Sequence, residues 1–176
     1  MNTNERPSLA FYHANGKGTG SAMKMELYPA RVGNPDSGAI YATIAPQASV
    51  GDRSSTPPIY PRFDWDNALK VKLDFTDLTM ILQVLRGETE SIDDGKGLFH
   101  RYDDKCQVIK FRHMIEPVCG YSMEVTEALV DVNAQNRERE VRIFLSTAEA
   151  LGMSLAIEHS FASLAFGVAV GWEMAK

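Results

Sequence analysis

The sequence states one pattern twice: a strand that runs directly into a capped helix. In residues 69–87, LKVKLDFTDLTMILQVLRG, the apolar Val71, Leu73 and Phe75 alternate with Lys70, Lys72 and Asp74, the period of a half-buried strand. Thr76 is expected to supply an N-cap hydroxyl and Asp77 first-turn negative charge. Leu78, Ile81, Leu82 and Leu85 then recur at helical spacing before Arg86 and Gly87 close the helix. Residues 140–157, EVRIFLSTAEALGMSLAI, repeat the plan. Val141, Ile143 and Leu145 stand 70 positions after Val71, Leu73 and Phe75 (141 − 71 = 70), and Ser146 stands where Thr76 stood. Ser146 and Glu149 have capping-box spacing. Each ending is preceded by further strand-like runs, so the chain reads as a duplicated unit of strands followed by one helix, an α+β arrangement.

The remaining runs fit that plan. Residues 8–14 form a short strand, and the glycine-rich NGKGTGS turn at 15–21 leads into a second, with Met23, Met25 and Leu27 on one face and Ala22, Lys24, Glu26 and Tyr28 on the other. Residues 39–45 are a third strand, with Ile40, Ala42 and Ile44 opposite Tyr41 and Thr43. Residues 46–61 are Ser- and Pro-rich without periodicity, a loop that is either functional or disordered. The acidic stretch 88–97 is expected to link two halves, about 8–87 and about 98–170, of one pseudo-symmetric domain spanning 1–176. In the second half residues 98–102, 106–115 and 121–130 are strands. A final helix over about 147–166 is apolar on most sides, through Leu151, Met153, Leu155, Ile157, Phe161, Leu164 and Phe166.

A formal net charge of −5 means that any contact with nucleic acid must come from a local basic patch. Cys106 and Cys119 lack metal-type spacing and read as reduced thiols. The first residues carry no apolar export segment, and the longest uncharged apolar run is too short for a bilayer. The expectation is a cytoplasmic protein, not secreted, from a prokaryotic cell or a viral host cell. His13, His100, His113 and His159 are scattered, and no GxSxG, Cys-His signature or carboxylate pair stands out, so neither a metal, a cofactor nor an enzymatic role is expected.

Several short segments resemble the Whirly family of single-stranded-DNA-binding proteins and, more distantly, the single-stranded-DNA-binding transcription coactivators of the same fold. They are Ile44-Ala45-Pro46-Gln47-Ala48, Phe63-Asp64-Trp65, Leu73-Asp74-Phe75-Thr76-Asp77-Leu78 and Phe99-His100, in the family's order and roughly its spacing. Gly20-Ser21-Ala22-Met23 resembles that family's lysine-glycine-lysine-alanine motif, with Thr19 and Ser21 where lysines are expected and Lys17 nearby instead. The resemblance implies two antiparallel four-stranded sheets, each followed by a helix, and a homotetramer whose helices form the core, with a dimer as the smaller alternative. It also implies binding of single-stranded DNA, with RNA as a further ligand.

A single strand held without sequence choice needs cations along its phosphates and flat rings for its bases. The outer strand faces carry both, and the candidates are Lys17, Lys24, Tyr28, Tyr41, Trp65, Lys70, Lys72, Lys110, Arg112 and Arg142, with Phe144 beside the last. Each has a plainer reading. Lysine and arginine outside an alternating strand are also what any solvated sheet shows; Trp65 with Phe63 is a stacking platform or the plug of a core; Lys17 reaches a phosphate or decorates a hairpin turn. Two further readings of the whole chain stay open: an interaction module of the same fold without the groove, and an enzyme with the 46–61 loop as a lid.

Overall fold

Alternating side chains pair off strands, and capping residues decide where two of those strands give way to helices. The computed structural model describes residues 8–31, 33–129 and 138–167. Within them the elements are β1 (Ser8–His13), β2 (Ser21–Tyr28), β3 (Ala39–Ser49), β4 (Arg62–Phe63), β5 (Leu69–Leu73), α1 (Phe75–Leu85), β6 (Leu98–Tyr102), β7 (Lys105–Met114), β8 (Gly120–Leu129), β9 (Arg139–Leu145) and α2 (Thr147–Phe166). The first sheet runs β1–β2–β3, with β4 and β5 end to end along the far edge of β3; the second runs β6–β7–β8–β9. Their pairings are antiparallel, and each sheet is followed by a helix. The expected leader at 1–7, most of the polar loop before the last strand, and the tail beyond Gly167 lie outside the described residues.

Asp74, not Thr76, caps α1. Its carboxylate accepts from the amides of Thr76 (2.8 Å) and Asp77 (3.0 Å), while the Asp77 carboxylate accepts from the Asp74 amide (3.0 Å), a reciprocal capping box. Phe75 is therefore the first helical residue and half exposed, not the last inward residue of the strand. Ser146 and Glu149 form the same box at α2. The true offset of the repeat is 72 residues (146 − 74 = 72), matching Leu69, Val71 and Leu73 to Val141, Ile143 and Leu145. Two residues is one full period of a strand, so alternation cannot tell 70 from 72; the caps can.

The inner faces close over one core. Met23, Ile44, Leu69 and Leu73 come from the first sheet, Ile109, Phe111, Met123, Ile143 and Leu145 from the second, and Leu78, Ile81 and Met153 from the helices, all fully buried. Strand β9 lies against β2 and β3, and α1 lies against α2. A polar latch closes one end. The Gln107 amide donates to the Lys70 carbonyl of the other sheet (3.1 Å) and to Glu127 (2.9 Å), and Arg139 donates to the Asn67 carbonyl. The acidic stretch 88–97 is more than a connector. Ile92 is buried, and the His113 amide donates to the Glu90 carbonyl (2.9 Å), seating the stretch on β7.

The unpatterned stretch after Ala45 also departs from expectation, because β3 continues through Pro46 to Ser49. Proline has no donor to lose here, and its carbonyl accepts from the Asp64 amide (2.8 Å). Gln47 then fixes the glycine-rich turn. Its amide oxygen accepts from the backbone amides of Asn15 (2.9 Å) and Gly20 (3.1 Å), and its nitrogen donates to the carbonyls of Asn15 and Ser49, both at 3.0 Å. Any Cβ at Gly20 would lie 2.0 Å from the His13 carbonyl and 2.4 Å from the Gln47 oxygen, so this position demands glycine. Gln47→Ala strips partners from four backbone groups around a buried side chain. It is expected to cost about 2 kcal/mol, read as a lower denaturation midpoint at unchanged m-value.

Candidate nucleic-acid interface

The outward residues of β2, β3 and β5 fall into cross-strand rows. Lys24, Thr43 and Lys70 make one row, and Glu26, Tyr41 and Lys72 make the next. Tyr41 is the hub: the Lys70 ammonium lies 4.7 Å from its ring centroid, and the Tyr28 ring meets it edge-on at 4.8 Å and 70°. The Lys24 ammonium lies 5.9 Å from the centroid of Trp65, which the short β4 brings over the sheet. Trp65 is 37 % exposed, so it is a surface ring and not a core plug. Toward the turn, Tyr12 meets Phe63 at 5.7 Å in the row of Ala22 and Ala45, two alanines with no exposed surface. Lys17 is exposed in the turn itself, held by an Asn15 side chain that accepts from the amides of Lys17 (3.0 Å) and Thr19 (3.1 Å).

Charge pairing separates the two sheets. Among the described residues, none of Lys17, Lys24, Lys70 and Lys72 makes an ion pair. On the second sheet the expectation of a continuous positive face fails. Glu124 sits on the central strand β8 directly between Lys110 of β7 and Arg142 of β9 and pairs with both, with Lys110 at 3.7 Å. Glu127, on the inner side of the same strand beside Gln107, takes Lys105 (3.3 Å) and Arg139 (3.7 Å). Arg112 instead donates to the Ser122 hydroxyl (3.4 Å), in the row of Phe144. Glu124 alternates with the inward Met123 and Val125, so an outward carboxylate between two cations was readable once β8 was known to be central. Glu26 is the acid at the corresponding rows of the first sheet.

At its Lys72 end the first face abuts the edge strand β6. A crevice of about 300 Å³ there is lined by Lys72, Asp74, Asp77, His100, Arg101 and Tyr102, with Phe99 exposed at its rim. His100 Nε2 lies 3.1 Å from the Asp77 carboxylate, and its Nδ1 is 3.3 Å from the Tyr102 hydroxyl. The hydrogen bond to Asp77 raises the imidazole above its ordinary range against the opposing effect of burial; the charges of Asp77 and Asp74 add to it and Lys72 subtracts. Burial raises the Tyr102 phenol. A raised histidine stabilises the fold fully below its unfolded value of about 6.5 and loses that contribution as pH climbs through the folded value. Melting of the native protein relative to His100→Gln is therefore expected to show an advantage at pH 6 that shrinks by pH 8.

No protein-family model matches the sequence, and no curated protein matches it. Solved structures do. The crystal structure of WHY1 from Arabidopsis thaliana superposes with a TM-score of 0.69 at 16 % identity, over 99 % of this chain and 90 % of that one. WHY3 from the same plant gives 0.65 at 15 % identity over 97 % and 92 %, and the plant transcriptional regulator PBF-2 gives 0.63 at 17 % over 98 % and 86 %. At such identities the likeness is one of backbone, and it agrees with the two antiparallel sheets each followed by a helix: the chain has a Whirly-like fold.

Proposed function

We propose that the protein binds single-stranded nucleic acid, DNA foremost and RNA as a second ligand, along the outer face of the first sheet and with little regard for sequence. The observation that carries this is the set of lysines, Lys24, Lys70 and Lys72, without carboxylate partners among the described residues and interleaved with Tyr28, Tyr41 and Trp65. Ammonium groups in that position neutralise phosphates, while the rings accept bases of any kind. A net charge of −5 is no obstacle, because among the described residues Glu124 on the second sheet is paired with Lys110 and Arg142, while Glu26 is the acid in the lysine rows of the first sheet. Fold likeness to a transcriptional regulator supports a role in transcription, and replication, recombination or repair are further settings in which such a protein would act. The protein works as a homo-oligomer in this reading, a tetramer or a dimer, in the cytoplasm.

Titrating a fluorescent oligo(dT) at increasing salt tests the reading. Each phosphate contact on a single strand contributes about −0.7 to the slope of log K against log salt, so three lysines predict a slope near −2. An RNA of matched length serves as competitor. The Glu124 pairing on the second sheet favours a different reading, a protein-interaction module whose groove has been neutralised. No affinity at low salt, or affinity indifferent to salt, selects that module.

A further inference from the structure

Resting on the reading above, we propose that the crevice between the β1–β2 turn and the excursion at residues 50–61 seats one unstacked nucleobase of the same strand, with Arg53 on its phosphate. The crevice holds about 220 Å³ and is walled by Val50, Ile59, Tyr60 and Pro61 on one side and by the turn around Gly16 on the other, with Arg53 at its edge. Tyr60 is 74 % exposed and Ile59 and Val50 about half exposed, a concentration of bare apolar surface on a short loop.

Both walls are built rather than loose. The excursion is pinched by reciprocal backbone bonds between Asp52 and Ile59 (2.8 and 2.9 Å), and the Ser55 hydroxyl ties the Asp52 and Pro57 carbonyls. A Cβ at Gly51 would fall 2.8 Å from the Pro61 ring and 2.9 Å from the Ile59 carbonyl, so the loop closes tightly on itself. The opposite wall is the turn that Gln47 clamps.

Charge and position point to a nucleotide. Arg53, Arg62 and Lys17 make no ion pair among the described residues. The nearby acid, Asp52, is turned onto Ser54, accepting from its amide (2.8 Å) and hydroxyl (2.6 Å). The crevice also continues the ring series. Tyr60 precedes Phe63 by three residues, about 10 Å of extended chain, and Phe63 meets Tyr12 at the turn end of the face that carries Trp65 and Tyr41. In the proposed path a strand lying along Tyr41, Trp65 and Phe63 continues to Tyr60.

The test uses the full chain and oligo(dT) of increasing length with a single 2-aminopurine scanned through it. The native protein should show one position whose fluorescence changes distinctly, together with a step in affinity at the length that first reaches the crevice. Gly16→Leu fills the opening from a position where an added Cβ meets nothing within 4 Å, so folding is preserved. It should abolish that position's signal and the affinity step while leaving shorter oligonucleotides unaffected. Tyr60→Ala should lower affinity for the longer ones about tenfold, and Arg53→Gln should flatten the salt slope for those alone. Native-like length dependence and 2-aminopurine signal in Gly16→Leu and Tyr60→Ala would overturn the crevice proposal while leaving the first-sheet track standing; absence of binding by the native protein at every length would overturn both.

Discussion

Replacing Lys24, Lys70 and Lys72 together by glutamine is expected to lower affinity for a labelled single strand about a hundredfold at 0.1 M salt and to flatten the salt slope by about 2. Those three ammonium groups have no carboxylate partners among the described residues, so in the free protein their charge is balanced only by mobile ions. Phosphates that replace those ions release their own counterions, the source of the salt dependence. Lys110→Gln with Arg142→Gln makes the control. Both charges already belong to Glu124, so removing them is expected to change affinity by no more than about threefold. The fold should survive the triple change, since exposed ammonium–ring contacts contribute only about 0.5–1 kcal/mol each. Circular dichroism melting checks this. Equal losses in the triple variant and the control would mean that the strand does not distinguish the two sheets, and the assignment to the first would fall.

That contrast shows where the sequence stops being legible. Alternation placed the lysines of β2 and β5 on an outer face correctly, because period two needs no partner to be read. It could not place Glu124 between Lys110 and Arg142, because cross-strand neighbours depend on register and strand order, and those are fixed by the closing of the whole sheet. The caps divide in the same way. Ser146 and Glu149 announce themselves by spacing. Asp74 and Asp77 have the same spacing, but Phe75 reads so well as an inward strand residue that the helix start slipped by two. Gln47 gives no local sign of its role, since the amides it binds lie 32 and 27 residues earlier in the chain. The 50–61 excursion has no period at all; it is ordered by its own turn bonds and by the hairpin opposite, which single-strand pattern reading cannot register.

Leu155→Asp is expected to yield a folded monomer in place of the proposed assembly. On sequence alone this change would dissociate or unfold the protein; the burial pattern of α2 separates those outcomes. Met153, Ile157 and Leu164 face the core, with Ser154, Ser160 and Ser163 letting the helix approach closely, whereas Leu151, Leu155 and Phe166 stay 62, 50 and 82 % exposed. Leu151 and Leu155 stand one turn apart on one stripe, and elsewhere on the helix Phe161 lies against Phe75 of α1, their ring centroids 4.7 Å apart. An aspartate there meets water in the monomer, so the melting midpoint of the isolated chain should hold to within about 1 kcal/mol. Between subunits it would face an apolar partner surface, where an unpaired carboxylate costs about 3–5 kcal/mol, or more than a hundredfold in association for each interface that buries it. Sedimentation equilibrium of native and variant protein decides it, and a native protein already monomeric at micromolar concentration would remove the assembly from the proposed function. The same variant separates assembly from binding. The first-sheet lysines remain in a monomer, so short oligonucleotides should bind as before, while strands long enough to cross several subunits should lose the gain that comes from holding one strand at several linked faces.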